Sequence, residues 1–376
     1  MPVPGLQRRI VERAQELGFI SVGFTPAGPL SDAPHLVRWL ENGFAGEMDY
    51  MHRHQALRTD SRGLLPGART VIALAAAYPS MREEPEWPES VARYALGDDY
   101  HDVLRGRLRL LAEFVRAESG ADVHDRPAID SAPLLERNVA VDAGLGWLGK
   151  SSMVIHQQRG SWTLLSELVV DIDIDPDHSP HPDRCGRCTR CIDQCPTGAI
   201  VGPYQVDARK CISYLTIELR GPIPRGLRRA VGNHLFGCDI CQSVCPWNSR
   251  ADNAVMQELQ VRPEVAKTTA VSVLRMSQDE FSEVFRGSAI KRTKRRGLGR
   301  NAAVVLGNSG DPDMVPLLMQ VLATHDEPLV RGHAAWALGV LDTGSARAAL
   351  RQACAREQDS YVGEEIRFAL EERTAE

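Results

Sequence analysis

No apolar stretch of this 376-residue chain is long enough to cross a bilayer. The longest, VIALAAAY at 71–78, falls far short of the roughly 20 residues that a membrane helix needs. An export signal is missing too: the start, MPVPGLQRRIVERAQELGF, carries charges throughout and sets Leu6, Ile10, Ala14 and Leu17 at helical spacing. These absences predict a cytoplasmic protein with no membrane partner. There is no overall excess of positive charge, the formal net charge being -5, so bulk electrostatics give no reason to expect a nucleic-acid partner. Cysteine is nearly absent outside one segment. Eight of the nine lie between 185 and 245, and in a reducing compartment such crowding favours metal ligation over disulfides. Cys354 stands apart and is expected to be a small buried helix residue.

The length allows two or three domains. Over the first 178 residues helical and strand-like patterns alternate: a helix near 6–17, ISVGF, a helix near 35–51, VIALAAAY, and a long helix from about 99 to 118 with the stripe Val103, Leu104, Leu108, Leu111 and Val115. SSMVIHQQ and WTLLSELVVDIDI close an α/β domain assigned to 1–178. A Pro-rich linker, PDHSPHPDR, leads into a ferredoxin-like two-cluster domain at 179–255. Residues 256–297 read as a basic linker. From 298 to 376, NAAVVLG, HAAWALG and IRFALEE place Leu306, Leu338 and Leu370 at a spacing of 32, which predicts an α-helical, HEAT-like repeat.

Cys185, Cys188, Cys191 and Cys195-Pro196 match C-x2-C-x2-C-x3-C-P, a run in which three thiolates wrap one cubane and the fourth reaches a second cluster. Cys238, Cys241 and Cys245-Pro246 repeat it one cysteine short, and Cys211 supplies the eighth ligand. Crossing then assigns Cys185, Cys188, Cys191 and Cys245 to one [4Fe-4S] cluster and Cys195, Cys211, Cys238 and Cys241 to the other. Zinc is the alternative for CxxC pairs, but the order of spacings is specific to iron-sulfur clusters. Saturated clusters carry single electrons and leave substrate chemistry to another site, expected upstream.

GLGWLG at 144–149 satisfies G-x-G-x-x-G, yet a dinucleotide fold needs strand, turn and helix in that order. Here a helix opened by Pro133 precedes the glycines and the strand-like SSMVI follows, so a nicotinamide site is rejected. Asp130 in RPAIDSAPLLE lies where a strand-like stretch meets that helix. It reads first as a helix cap and second as a general acid.

Together IDSAPLLER, GLGWLGKSS, CxxCxxCxxxCP, CISYLTIELRG, FGCDICQSVCPWN and the C-terminal repeat resemble the epoxyqueuosine reductase family over nearly the whole chain. The resemblance implies an oxidoreductase of queuosine tRNA modification in which two [4Fe-4S] clusters feed cobalamin, held by the α/β domain and facing cluster-domain loops. It implies reductive removal of the epoxide oxygen of epoxyqueuosine at the wobble position, with Asp130 as proton donor. Its candidate cobalamin contacts are Arg58 in LRTDSRG, Asp130, Lys150, Ser152, Ser213, Cys238 and Asp239. Arg58 could instead pair with Asp60.

RGSAIKRTKRRGLGR at 286–300 holds seven Lys or Arg and no acid, and RGPIPRGLRR at 220–229 adds more. With the family in view these suit the phosphates of an anticodon stem-loop, so Arg220, Arg225, Arg292, Lys294, Arg295, Arg296 and Arg300 are expected to contact tRNA. The chain is expected to act as a monomer with an electron donor that the sequence leaves unidentified. Two other readings remain at this point: a corrinoid reductive dehalogenase-like enzyme, disfavoured by the missing export signal, and a non-enzymatic two-cluster electron carrier, disfavoured by the large N-terminal domain.

Overall fold

The computed structural model describes residues 5–80, 90–120, 122–176, 180–250 and 255–371; residues 177–179 of the Pro-rich linker lie outside this set. The chain divides into two units. The first comprises Met1–Glu84, Leu96–Arg209 and Asp239–Val261; the second comprises Pro85–Ala95, Lys210–Cys238 and Arg262–Glu376. The cysteine segment, expected to be one domain at 179–255, contributes to both units.

The first unit is built on a four-stranded sheet in the order Ser21–Pro26, Thr70–Ala77, Thr163–Val170, Asp125–Ala128, every neighbouring pair antiparallel. The strand Thr70–Ala77 is buried along its whole length, as a central strand covered on both faces must be. Phe24, Ile72, Leu74 and Leu168 face the helices Leu6–Glu16 and Tyr100–Ser119, whose Ile10, Leu104, Leu108 and Leu111 complete that core. Val71, Ala73, Ala75, Ala128 and Val169 face the other way, against Val139 and Ala140 of the helix Glu136–Asp142. The helix expected over 35–51 is two, Ala33–Glu41 and Asp49–Arg53, with left-handed Gly43 and Gly46 between them.

The second unit contains the repeat. Its helices Lys294–Asn308, Pro328–Leu341 and Ser360–Glu371 carry the aligned leucines, with Val315–Thr324 and Gly344–Cys354 between them. The glycine after each of the first two leucines explains the period. A Cβ at Gly307 would lie 2.8 Å from that of Ala337, and one at Gly339 would lie 2.7 Å from that of Ala369, so successive helices approach at a glycine-alanine contact displaced by one repeat. Two expectations fail here. Residues 256–297 are no linker but contain the helices Pro263–Ala266, Ala270–Arg275 and Gln278–Val284, the latter two with capping boxes. Cys354 ends its helix exposed, not buried.

Candidate functional site

Asp130 follows the short strand Asp125–Ala128 at φ +27°, a left-handed conformation that asparagine and aspartate tolerate better than most residues. It caps nothing. The next helix starts only at Glu136, well past Pro133, and has no side-chain cap at its N-terminus. The capping reading is overturned, since the carboxylate keeps 55% exposure and meets a histidine, not a helix end.

His101, near the start of the helix Tyr100–Ser119, lies between two carboxylates: Nδ1 is 2.8 Å from Asp99 Oδ1 and Nε2 is 3.2 Å from Asp130 Oδ2. A ring with an acceptor at each nitrogen must donate from both, which only imidazolium can do. Burial works against that charge, but the bonds to Asp130 and Asp99 outweigh it and push the imidazole up to about 9. The converse holds at Asp130. Desolvation opposes ionisation, yet His101, the Tyr100 hydroxyl and the charge of Arg137 hold its carboxyl below the usual range. At neutral pH the resting proton therefore sits on His101.

Two further carboxyls lie within reach of the Asp130 charge. Glu136 accepts from the Asp130 backbone N–H, and burial together with the Asp130 charge pushes it up to about 7. Glu167 sits mid-sheet opposite Ala73 and Ala128, whose small side chains leave it room. Burial and the charges of Glu136 and Asp130 push it well above the carboxylate range, and neither carboxyl oxygen has a hydrogen-bond partner. Nothing in the local sequence marks Glu167, an acid within an apolar strand. Arg58 joins the group: it is buried, its Nε is unpartnered, it lies 5.9 Å from the Tyr50 ring, and it feels the charges of Asp130 and Glu136. Its alternative partner Asp60 is taken by Arg62 at 2.6 Å.

The stability linked to His101 has a definite sign. A folded pKa of about 9 against an ordinary 6.5 means that the contribution is complete below about pH 6.5 and is lost as pH rises through about 9. Imidazole NMR of the native protein should show one histidine titrating near 9, and Asp130→Asn should bring it down. An unmoved midpoint in that variant would contradict the pairing.

In the first unit Cys185, Cys188, Cys191 and Cys245 lie near enough to feel one another's charge. Burial pushes the Cys191 thiol up and the neighbouring Cys185 and Cys245 push it further; Cys245 is raised likewise by burial, then by Cys185 and Cys188. Cys195 stands differently: burial raises it, but Thr197 and the N–H groups of Ala199 and Ile200 outweigh this and lower it. Among the described residues no group of three or more ligating side chains is set to hold a single metal ion.

The glycine-rich loop serves these cysteines. Its helix ends at Asp142, and Trp147–Leu148 pairs antiparallel with Val154–Ile155. A Cβ at Gly146 would lie 2.3 Å from the Ile155 carbonyl oxygen, so glycine there answers a hairpin contact, not a phosphate. The Lys150 N–H donates to the Cys185 sulfur, while Lys150 Nζ donates to the carbonyls of Gly186 at 2.7 Å and Cys188 at 3.0 Å. Lys150 is thus engaged with the cysteine loop. Asn248, which motif reading passed over, ties the CPWN turn in place: Nδ2 donates to the Gln242 carbonyl at 2.7 Å and Oδ1 accepts from the Ser161 N–H at 2.6 Å. Gln242 accepts in turn from Ser161 and Tyr78 and donates to Asp239. Ser152, at φ +62°, accepts from Arg137 through its carbonyl.

In the second unit Ser213 Oγ lies 3.5 Å from the Cys238 carbonyl. The basic residues separate into three groups. Arg220, Arg292, Lys294 and Arg296 are exposed, although Arg292 also pairs with Glu218 at 2.8 Å. Arg225 and Arg295 are mostly covered, held by Glu365 and Asp326. Arg300 is fully buried and donates to the carbonyls of Leu219, Gly221 and Leu215, which removes it from the expected phosphate contacts. It joins the repeat to CISYLTIELRG instead, beside Asn301, whose Nδ2 donates to Thr216 and Leu235. Arg300→Ala would strand buried carbonyls and should cost about 3–5 kcal/mol, read as a lower denaturation midpoint. Weakened tRNA binding at unchanged stability would contradict this role.

Three segments of the chain match known families. A family model described as a 4Fe-4S double cluster binding domain matches residues 184–248, one described as Epoxyqueuosine reductase QueG, DUF1730 matches 58–131, and HEAT repeats match 285–371. An epoxyqueuosine reductase of Pseudomonas aeruginosa is 43% identical over 341 residues, covering 89% of this chain and 94% of its own; that of Escherichia coli is 42% identical, covering 89% of each. A crystal structure of an epoxyqueuosine reductase with an epoxyqueuosine-modified tRNA-Tyr stem loop superposes with TM-score 0.91 at 34% identity over 98% of this chain and 99% of that one. A Bacillus subtilis epoxyqueuosine reductase with its catalytic aspartate loop swung out of the active site gives 0.89 at 34% over 97% and 98%. With the cysteine run, the Asp130 region and the helical repeat each inside a matched segment and the likeness continuous over nine-tenths of its length, the chain belongs to the epoxyqueuosine reductase family.

Proposed function

We propose that this chain reduces epoxyqueuosine to queuosine at the wobble position of tRNA, removing the epoxide oxygen as water with two electrons and two protons. The observation that carries the reading is Asp130 on a left-handed turn, its carboxylate partly exposed, with its proton held one bond away on His101. In this reading Asp130 takes the proton from His101 Nε2 and passes it to the leaving oxygen, while Asp99 keeps the ring oriented through Nδ1. The aspartate loop that swings out in the Bacillus subtilis relative fits a residue in such a strained turn.

Cobalamin, when bound, supplies a strongly reducing cobalt centre beside the substrate. The site suits it: the buried Arg58 Nε and both Glu167 oxygens lack partners, and a corrin rimmed with amides offers acceptors and donors for both. Arg58 and Ser152 are proposed contacts; Ser213, Cys238 and Asp239 stay in the set on the family resemblance. Lys150 leaves it for the cysteine loop. The two proposed cluster sets are Cys185, Cys188, Cys191, Cys245 and Cys195, Cys211, Cys238, Cys241, which would hold two [4Fe-4S] clusters able to supply electrons singly. Arg220, Arg292, Lys294 and Arg296 are the proposed phosphate contacts, with Arg225 and Arg295 only if their acidic partners release them. No helix among the described residues is long and apolar enough to cross a membrane.

The test is nucleoside analysis of tRNA from cells lacking this chain, repeated after its return. Epoxyqueuosine should accumulate and then convert to queuosine. Unchanged queuosine in a strain with no second reductase would refute the activity.

A further inference from the structure

Of the eight clustered cysteines, Cys188 alone is exposed. Around it the chain reads DRCGRCTRC, and Arg184, Arg187 and Arg190 are all exposed with no acidic partner among the described residues. The neighbouring acids are otherwise engaged. Asp183 accepts from the Tyr204 hydroxyl and the Cys185 N–H, Asp193 accepts from Thr189, and buried Asp207 holds Arg209. Beside this loop the hairpin Ile200–Gly202 and Gln205–Val206 presents Val201 and Tyr204, two of the few large apolar side chains left exposed, at 44% and 41%. Tyr204 is fixed there: its hydroxyl bonds to Asp183 and its N–H donates to the Lys150 carbonyl.

We infer that this face, Arg184, Arg187 and Arg190 around exposed Cys188 with Val201 and Tyr204 beside them, is the docking surface for an acidic one-electron carrier protein. The inference rests on the proposed first cluster. Electron transfer weakens steeply with distance, so a carrier must meet the cluster where a ligand reaches the surface. A small apolar patch with an arginine rim is the composition expected of a transient redox encounter, and unpaired positive charge steers a negative partner to it. The arginines could instead only offset the negative charge of the cluster, but Lys150 already bonds to this loop, whereas the three guanidinium groups bond to nothing within it. The step balances: reduced carrier loses one electron and the oxidised first cluster gains it, twice for each substrate.

The test uses the full-length protein with both clusters and the triple variant Arg184→Glu, Arg187→Glu, Arg190→Glu, with a reduced acidic flavodoxin as probe. The parent should be reduced more slowly as salt rises, and the variant at least tenfold more slowly than the parent at low salt, with carrier binding weakened in parallel. Iron content, cluster potential, reduction by photoreduced deazaflavin and affinity for a tRNA stem loop should not change. The inference is overturned if carrier reduction of the parent ignores salt, a result that needs no variant. It is overturned as well if the variant is reduced at the parental rate, if only its cluster potential moves, or if it loses tRNA affinity and keeps its carrier. None of these readings needs epoxyqueuosine, so failure of the proposed activity would be seen separately.

Discussion

Asp130→Asn should lower turnover of an epoxyqueuosine-containing stem loop by about 10²–10⁴-fold, the range that one positioned acid contributes, with little change in substrate affinity. Asparagine keeps the size of the side chain and tolerates the left-handed backbone at φ +27°, so the turn should survive. What it lacks is a transferable proton and the charge that holds His101 protonated. The amide can still accept from Nε2, but a neutral acceptor leaves only Asp99 to favour the imidazolium. The variant should therefore lose both the donor and part of its proton reserve. Single-turnover conversion followed by nucleoside mass spectrometry reads the rate, and the visible spectrum checks that clusters and cobalamin are in place. Turnover within threefold of the parent would remove Asp130 from the chemistry.

The environment of Asp130 shows where sequence reading ends. The apolar stripe of the helix Tyr100–Ser119 is legible because 3.6-residue periodicity is a local property, and the 32-residue repeat is legible because Gly307 and Gly339 perform the same packing task in successive units. The partner of Asp130 is not local: His101 comes from 29 residues earlier and reaches it only because the sheet carries Asp125–Ala128 at its edge. Glu167 is hidden for a related reason. Its neighbours in the strand are apolar, and only the register with Ala73 and Ala128 reveals the space around it. Arg300 misleads because charge counting cannot tell a solvated arginine from one satisfied by buried carbonyls. GLGWLGK shows the reverse: order of elements alone removes the nucleotide reading, but only the bonds from Lys150 disclose what the loop holds.

Pairs of cysteine substitutions give the largest predicted contrast, because crossing makes neighbours in sequence belong to different clusters. If Cys185, Cys188, Cys191 and Cys245 form one set, Cys191→Ala and Cys245→Ala damage the same cluster. Their combination should then keep about four irons per chain where the parent holds about eight. Cys191→Ala with Cys195→Ala, only four residues apart, should strip both clusters. A segmental assignment, with the first four cysteines in one site and the rest in another, predicts the opposite outcome for each pair. Crossing is consistent with Cys245, which burial raises first and the charges of Cys185 and Cys188, from the other end of the segment, raise further. Iron content and the electron paramagnetic resonance of the reduced protein separate the two assignments. All these variants should lose turnover, because a broken chain of single-electron carriers cannot supply the two electrons that the reaction consumes. The first pair should nevertheless remain the better folded, since Cys195, the fourth cysteine of the run, still holds its cluster and the segment from Cys185 to Cys245 is not released as a whole. Equal iron loss in both pairs would show that the clusters assemble only together, and eight irons retained in either would exclude that pair as ligands.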